Sequence, residues 1–336
     1  MIKCLSSGLL SSIQDLGRYG YQKYGVIVSG VMDTLSHRLA NILVGNDENA
    51  PTIEMTLLGS SIRFEEDVLI SICGADLSAT INGKAIHLHR PIYVKKGSVL
   101  SFGRCRVGCR AYLAVAGGFD VPSVMGSYST YIRAGIGGYH GRALKAGDKL
   151  KIGKPSETAK SIIQTLSDDY AGKGFSETSW SVATELHATR KHQPVIRVMK
   201  GRQATWFSEK SFQMFLSESF EISPKSDRMG YRLVGPVLNV ETSEDMLSEA
   251  VSFGTIQVPP DGRPIILLAD RQTTGGYPKI GQVITADLPI LAQLKPGEHL
   301  RFKEVTQHEA LQFLLEFERN IQLLKTGISL KTRIGG

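Results

Sequence analysis

The sequence predicts a mainly β protein with a few helices (α+β), organised as two β-rich lobes. Between Ile53 and Val115, short β-branched runs alternate with glycine-containing turns, and Asn82-Gly83 has the composition of a two-residue hairpin turn. A period of 3.6 residues, which indicates a helix, is limited to a few segments. Short motifs also recur in the same order in both halves of the chain, and two related lobes would explain that recurrence.

Three motifs make up this internal recurrence. Arg-x-Gly-Tyr-x-x-x-Gly begins at Arg18 and Arg228, Gly-Gly-aromatic begins at Gly117 and Gly275, and Lys-x-Gly-x-x-Leu begins at Lys145 and Lys295. We therefore predict an N-terminal lobe over 1–153 and a C-terminal lobe over 194–327. The segment 154–193 is rich in Ser, Thr and Lys and is predicted to be the linker, while 328–336 is predicted to be a frayed tail.

Two segments have clear helical periodicity. The first predicts a helix over 31–44, with Asp33 or Ser29 as its N-cap. The second begins at Thr306, where Thr-Gln-His-Glu forms a capping box, and Gly327 is predicted to end it.

Length and composition limit the class of protein. The chain has 336 residues, of which 42% are hydrophobic, enough for two domains with cores of their own. It lacks both a long apolar run and a signal-peptide pattern, so we expect a cytoplasmic protein without a membrane partner. The net charge of +7 suits an anionic ligand or an acidic partner. Its Lys and Arg residues are scattered rather than interleaved with aromatics, so no nucleic-acid partner is expected.

Cys105 and Cys109, with His87 and His89 nearby in sequence, raise the question of a zinc site. The alternation in RCRVGCRAYLAV instead predicts a half-buried strand with both cysteines on its core face. The two histidines alternate with apolar residues and are expected at the surface, so no metal site is predicted. The other face of the strand is expected to meet solvent and carries Arg104, Arg106, Arg110 and Tyr112.

The glycine-rich segment 116–148 has almost no periodicity and is predicted to be a long structured loop. Ser127, Thr130 and Arg133 lie between glycines that allow a backbone to approach a ligand closely. A cradle for a phosphate or carboxylate and a simple connector are equally compatible with this composition. The sequence contains no P-loop motif.

The segment 254–302 contains the densest group of polar residues beside a buried strand. Ile265–Ala269 is a short apolar run, consistent with a strand buried on both faces. The residues that follow it are predicted to form a loop that shapes a polar site, with a solvated hairpin tip as the alternative. They are Asp270, Arg271, Gln272, Thr273, Thr274, Gly275, Gly276, Tyr277, Pro278 and Lys279.

Five long motifs together resemble a known family. They are SGVMDTLSHRLANILVGN, GSYSTYIRAGIGG, SDRMGYRLVGP, GTIQVPPDGRPIILLADRQTTGGYPKI and ADLPILAQLKPGEHLRF. The chain resembles the C subunit of bacterial ATP-dependent 5-oxoprolinases (the KipA group) over about residues 5–305. That group belongs to the biotin-dependent carboxyltransferase-like proteins, with allophanate hydrolase subunit 2 and the carboxyltransferase part of urea carboxylase.

The resemblance implies a fold, a reaction and partners. The two lobes would be cyclophilin-like β-barrels, and the partners would be the A subunit of the enzyme together with its KipI-like B subunit. All three would hydrolyse 5-oxo-L-proline to L-glutamate with ATP, bound with Mg²⁺, as a substrate. Covalent biotin is not expected on this chain, because Gly201 follows Val198-Met199-Lys200 where a biotin-acceptor sequence would carry Met or Leu.

The resemblance also implies roles for the polar residues, with a structural role as the alternative for each. Arginine and lysine suit phosphates, hydroxyls suit a carboxylate, and an aspartate can hold a metal or orient an arginine. The expected catalytic residues are Asp270, Arg271, Asp227 and Arg228. The expected substrate- and nucleotide-binding residues are Arg133, Ser127, Thr130, Gln272, Thr273, Thr274, Tyr277 and Lys279.

Two alternative functions remain open from the sequence. One is a regulatory protein that antagonises a KipI-like inhibitor of a sporulation histidine kinase. The other is biotin-dependent carboxyl transfer to an amide or urea, with biotin carried by another chain.

Overall fold

The structure is a computed structural model that describes residues 1–168, 170, 172, 174–187, 193–242 and 246–334. The chain forms two compact units, and each is assembled from separate stretches of sequence. Unit 1 comprises Met1–Arg18, Asp33–Thr189 and Arg319–Gly336, and unit 2 comprises Tyr19–Met32 and Arg190–Glu318. Both units are mainly β with a few helices, which confirms the predicted fold class.

Unit 1 contains two sheets that share one hydrophobic core. Their orders are β11-β12-β1-β4-β9-β6-β7 and β13-β8-β5-β10-β3-β2. Ile2 and Phe64 from the first sheet and Ile53 and Leu113 from the second belong to the same buried cluster. The strands are β1 (Ile2–Ser6), β2 (Leu10–Gln14), β3 (Thr52–Thr56), β4 (Ser61–Phe64), β5 (Val68–Asp76), β6 (Thr80–Ile81), β7 (Lys84–Ala85), β8 (Ile92–Val94), β9 (Val99–Ser101), β10 (Val107–Val115), β11 (Phe119–Asp120), β12 (Lys149–Ile152) and β13 (Phe175–Glu177).

Helix α1 (Thr34–Leu43) is capped by Asp33, whose side chain accepts a hydrogen bond from Ser36 N, which confirms one of the two predicted N-caps. The helix therefore starts at Thr34 rather than at 31 as predicted. The helix packs against β5 and β10. Because it covers the second face of β10, Arg110 and Tyr112 are buried rather than solvent-facing as predicted.

The cysteines and histidines considered above as zinc ligands do not form a metal-binding group within the described residues. Cys109 is buried on β10 and Cys105 is half-buried. His87 is exposed and pairs with Glu177, whereas the ring of His89 stacks on that of His187. His89 is half-buried, with Nδ1 inaccessible to solvent, so its predicted surface position is wrong. This burial lowers the pKa of His89 to about 3. The described ranges contain no group of three His, Cys, Asp or Glu residues placed to hold a metal ion.

The segment expected to be a linker contains regular structure within its described residues. Helix α2 (Glu157–Asp168) buries Ala159, Ile162 and Leu166 at helical spacing. Strand β13 pairs with β8 and extends a sheet of unit 1. The structure thus divides the chain differently from the expected 1–153 and 194–327, since most of 154–193 belongs to unit 1 and 19–32 to unit 2.

Unit 2 is built around a closed seven-stranded barrel in the order β14-β21-β18-β19-β16-β15-β22. The parallel pairing of β14 with β22 closes it. The rings of Phe215 and Phe302 stack in its core at 4.5 Å between centroids. The elements are β14 (Val195–Lys200), α3 (Glu209–Ser217), β15 (Phe220–Ile222), β16 (Gly230–Val234), β17 (Glu249–Ala250), β18 (Thr255–Gln257), β19 (Ile265–Leu267), β20 (Thr274–Gly275), β21 (Lys279–Val283), α4 (Leu288–Ala292) and β22 (His299–Glu304).

Helix α5 (Gln307–Ile334) starts at the predicted capping box, where Thr306 N donates to Glu309 Oε2 at 2.7 Å. It continues through Gly327, so the helix does not end there as predicted, and 328–334 is helical rather than frayed, while 335–336 of the predicted tail lie outside the described residues. A single glycine costs a helix only about 1 kcal/mol, and the flanking turns supply the hydrogen bonds. Within the described residues, no helix has both the length and the apolar character required to cross a membrane.

Candidate functional site

The predicted polar loop lies in unit 2, between two strands of the barrel. Strand β19 ends at Leu267, and the chain then forms β20, which pairs with β17 before β21 begins. The loop packs closely on the barrel at Gly275, where an added Cβ would lie 2.3 Å from Gln257 Nε2. A strand followed by a structured loop is therefore confirmed. Gln272, Thr274 and Tyr277 are exposed along this loop, and Thr273 is half-buried.

Arg228 and Asp270 form a nearly buried ion pair at the start of this loop. Arg228 Nε lies 2.9 Å from Asp270 Oδ2, and the two side chains are 8% and 12% exposed. Arg228 Nη2 also donates to Gly30 O at 2.5 Å. Arg228 thus joins the loop to the segment 19–32, and its charge is balanced by Asp270. The neighbouring Asp227 accepts hydrogen bonds from Met229 N and Gly230 N through Oδ1 and so shapes the turn before β16.

Ser29, next to Gly30, combines two costly features. Its φ is 56°, in the left-handed region that disfavours residues other than glycine. Its side chain is 3% exposed, and Oγ has no hydrogen-bond partner in the described part of the chain. Backbone strain and an unsatisfied buried hydroxyl are features that cluster at functional sites. The sequence prediction used Ser29 only as a possible helix cap and missed this.

Arg271 differs from Arg228 because no carboxylate pairs with it among the described residues. Its Nη1 donates to Leu268 O at 3.2 Å and its Nε to Val251 O at 3.4 Å. The guanidinium carbon lies 6.0 Å from the centre of the Phe253 ring. Burial lowers the pKa of Arg271, as expected for a cation that has lost water without gaining an anion. The guanidinium therefore lies in a half-buried position, held by two backbone carbonyls and without a carboxylate among the described residues to neutralise it.

Lys279, at the end of the loop, is buried and ion-paired. Its Nζ lies 2.9 Å from Glu249 Oε2, and Arg202 Nη1 lies 3.5 Å from the other oxygen of that carboxylate. The hydrogen bond from Lys279 lowers the pKa of Glu249. Gln203 fixes the backbone here, because its Oε1 accepts from Lys279 N and its own N donates to Lys279 O. Two cations thus share one carboxylate.

A pocket of about 670 Å³ lies in unit 2 beside the second half of the loop. Tyr277 and Pro278 contribute to its lining, as do Pro259, Pro260 and Trp206. Within the described part of the chain, none of its lining residues carries a charged side chain. The sequence prediction included Tyr277 but missed Trp206, which is distant in sequence and follows no recognisable motif.

The candidate residues of unit 1 serve mainly to hold the glycine-rich loop in place. Ser127 Oγ donates to Asp15 Oδ1 at 2.7 Å, and Thr130 Oγ1 donates to Ile13 O at 2.8 Å. Ser127, Thr130 and Asp15 are completely buried. Their hydrogen bonds are internal to unit 1, which favours the connector interpretation for these two hydroxyls. Arg133 instead lies exposed on a short 3-10 turn of the same segment.

Asp15 and Arg18 are polar residues that hold the glycine-rich loop, but the sequence prediction did not name Asp15 and used Arg18 only as the first residue of a repeated motif. Asp15 also accepts from Tyr128 N at 2.6 Å, so one carboxylate organises the whole turn. Arg18 is completely buried and donates from Nη2 to Ser129 O at 2.8 Å and from Nε to Val124 O at 3.0 Å. Gly137 permits this packing, because an added Cβ would lie 2.1 Å from Ser129 O. The candidate residues of 127–133 thus belong to unit 1, and those of 227–279 belong to unit 2.

Comparisons with known proteins agree with one another. A family model described as the carboxyltransferase domain, subdomain A and B, matches residues 24–304. The chain is 37% identical to the 5-oxoprolinase C subunit of Escherichia coli strain K12, covering 96% of this chain and 97% of that protein. The corresponding protein of Haemophilus influenzae is 38% identical, with 92% and 93% covered.

A solved structure has the same architecture. The Kluyveromyces lactis urea carboxylase superimposes with a TM-score of 0.86 at 31% identity over 97% of this chain. The chain spans only 29% of that much longer protein.

Proposed function

Because the chain belongs to the carboxyltransferase domain family, we propose that it is one subunit of an ATP-dependent 5-oxoprolinase. The observation that carries this proposal is the 37% identity to the Escherichia coli C subunit, which extends over nearly the full length of both chains. The proposed reaction hydrolyses the lactam of 5-oxo-L-proline to glutamate and converts ATP to ADP and phosphate. An unactivated amide is a poor electrophile, and phosphorylation of its oxygen makes attack by water easier.

We propose that Arg271 binds the anionic group of a substrate. Among the cations described at the loop, Arg228 is neutralised by Asp270, and Lys279 shares Glu249 with Arg202. Arg271 has a guanidinium fixed by two backbone carbonyls and no acidic partner in the described ranges. A pre-positioned, partly desolvated guanidinium binds a carboxylate or phosphate strongly, because little order is lost on binding. The carboxylate of 5-oxoproline and the phosphates of ATP are the two anions that the reaction offers.

Asp270 and Arg228 then act as positioning residues. Their ion pair fixes the backbone from which Arg271 projects, and Asp270 N also donates to Arg228 O at 2.9 Å. Through Gly30 O, the same pair fixes the segment that carries Ser29. Catalysis of phosphoryl transfer depends chiefly on such positioning and on charge stabilisation.

We propose that the chain acts with two further proteins, the KipI-like B subunit of the enzyme plus its A subunit. Support comes from the relatives, which are named as one subunit of 5-oxoprolinase. The three purified proteins should be mixed singly and together with Mg-ATP and 5-oxoproline, and glutamate measured. Glutamate is expected only from the full mixture. Production by this chain alone would refute its assignment as one part of a larger enzyme, and no production from the full mixture would refute the oxoprolinase assignment.

Carboxyl transfer is the second candidate, favoured by the TM-score of 0.86 with urea carboxylase. Biotin would then be carried by a partner chain, because Gly201 follows Lys200 at the position where a biotin-acceptor sequence would carry Met or Leu. The two candidates are separated by supplying a biotinylated carrier with labelled bicarbonate and urea. Transfer of label that depends on this chain supports carboxyl transfer, and glutamate formation without biotin supports the first candidate.

A further inference from the structure

We propose that the pocket lined by Trp206 and Tyr277 in unit 2 binds the adenine base of ATP. The choice of ATP rests on the proposed function, which requires this nucleotide. The pocket itself is a feature of unit 2, because every residue that lines it falls within 190–318.

The lining matches a flat, uncharged ring. Trp206 and Tyr277 provide aromatic surfaces, and Pro259, Pro260 and Pro278 provide rigid apolar ones. Bases bind proteins by stacking on aromatic side chains, and Trp and Tyr combine apolar area with few rotatable bonds. A charged ligand such as 5-oxoproline would gain no counterion from the described lining residues, none of which carries a charged side chain.

The volume also favours a nucleoside. At about 670 Å³, the pocket lies within the range that accommodates cofactor-sized ligands. A five-membered lactam would fill only a small part of it. Adenine with its ribose is large enough to contact both the proline wall and the aromatic residues.

Asn239 provides the polar recognition that an adenine edge requires. It lines the pocket, and its side chain is exposed. Its backbone is fixed, because Asn239 N donates to Ser211 Oγ at 2.8 Å and Ser208 N donates to Asn239 O at 3.3 Å. An asparagine amide can donate to and accept from adjacent atoms of adenine at the same time.

A cationic group next to the pocket in sequence would bind the phosphates of ATP. Lys279 directly follows Pro278 of the pocket, and it shares the carboxylate of Glu249 with Arg202. Among the described residues, these two cations and one carboxylate leave a net positive charge. Trp206 N donates to Gln203 O at 3.0 Å, and Gln203 binds the backbone of Lys279. Gln203 therefore links the backbone of Trp206 to the backbone of Lys279 through hydrogen bonds.

The chain offers a built-in probe, because Trp180 and Trp206 are its two tryptophans. In the Trp180→Phe variant of the full chain, fluorescence reports on Trp206 alone. We expect saturable quenching by ATP and by adenosine, and none by 5-oxoproline. Absence of any change with ATP up to millimolar concentration would overturn the proposal.

Variants in the same background localise the binding. Tyr277→Leu and Asn239→Ala should each weaken adenosine and ATP binding about ten-fold. Arg202→Gln should weaken ATP but leave adenosine unchanged. Tyr24→Leu is the matched control, since Tyr24 is 70% exposed in unit 2 and does not line the pocket. Unchanged affinity in both Tyr277→Leu and Asn239→Ala, with native near-UV circular dichroism, would place the base elsewhere.

The outcome is independent of the test of the proposed function. Binding at Trp206 without glutamate from the complete mixture of three proteins would retain the nucleotide pocket and refute the oxoprolinase assignment. Glutamate formation without any response of Trp206 to ATP would refute the nucleotide pocket and retain the oxoprolinase assignment.

Discussion

Arg228 and Asp270 form an ion pair through two guanidinium nitrogens, with Nε 2.9 Å from Oδ2 and Nη2 3.3 Å from Oδ1. Both side chains are nearly buried, and Nη2 also holds Gly30 O. A pair in this setting is expensive to break, since the remaining charge stays buried without a counterion. The neighbouring Arg271 has no such partner among the described residues. Two adjacent residues of one loop thus have different expected effects on stability and on activity.

Replacing Asp270 should destabilise unit 2. Asp270→Ala leaves Arg228 buried without its carboxylate, and we expect a loss of about 3 kcal/mol in the free energy of unfolding. Urea denaturation monitored by circular dichroism measures this loss. Asp261→Ala, at an exposed turn of the same unit, is the control and should change stability by less than about 0.5 kcal/mol. A loss of activity in Asp270→Ala with unaltered stability would argue against the structural role.

Replacing Arg271 should affect activity far more than stability. Arg271→Ala removes a cation whose hydrogen bonds within the described ranges go to backbone carbonyls alone, so we expect a change in unfolding free energy of about 1 kcal/mol or less. Glutamate production by the reconstituted complex should fall at least about 100-fold. Arg271→Lys keeps the charge but not the fork of donors and should recover part of the loss. Full activity in Arg271→Ala would eliminate it as the anion-binding residue.

Ser29 provides a test that separates function from stability. Ser29→Gly removes both the strain of φ 56° and the buried hydroxyl without a described partner. We expect the protein to become more stable by about 1 kcal/mol, as measured by thermal unfolding. Activity should nevertheless decrease if the hydroxyl serves the site. A variant that is less stable than the parent would show that Ser29 has a structural role instead.

The stability of unit 1 should decrease in mild acid because of His37. Burial lowers the pKa of this residue from 6.5 to about 4, outweighing Asp15 and Glu54, which raise it. The unfolded chain therefore binds more protons between pH 6.5 and 4, and the free energy of unfolding falls as pH falls through this window. The shift corresponds to about 3 kcal/mol.

Urea denaturation at pH 7 and pH 4.5 measures this effect. His37→Asn keeps a polar group near Thr52, which His37 contacts through Nδ1 at 2.9 Å, and should reduce the pH dependence. The control His140→Asn changes an exposed residue whose φ of 57° asparagine tolerates. An equal pH dependence in His37→Asn and the parent protein would contradict the assignment.

Local signals in the sequence predicted local structure well. Asn82 and Gly83 have φ values of 51° and 77°, as the predicted hairpin between β6 and β7 requires. The capping residue Asp33 and the loop after β19 were equally evident, because caps and turns depend on neighbouring residues. Arg110 and Tyr112 were misplaced because alternation along a strand does not reveal a helix that covers its second face.

The site was harder to predict for a similar reason. Ser127 and Thr130 have the composition of ligand-binding residues, but their hydrogen bonds go to Asp15 and Ile13, more than a hundred residues earlier in the chain. The difference between Arg228 and Arg271 likewise depends on which carboxylate each one meets in the folded unit. Sequence spacing does not contain that information.

The way the chain is threaded has a practical consequence for dissecting this protein with gene fragments. It passes from one unit to the other after residues 18, 32, 189 and 318. A fragment that starts at 194 would lack Met32, a fully buried residue of the unit 2 core, and would expose the surface that Met32 covers. Conversely, a protease site inserted between 187 and 193 would generate two polypeptides that each contribute to both units. We expect them to separate on a denaturing gel yet to co-elute in gel filtration, so the two halves could be co-expressed as a split protein.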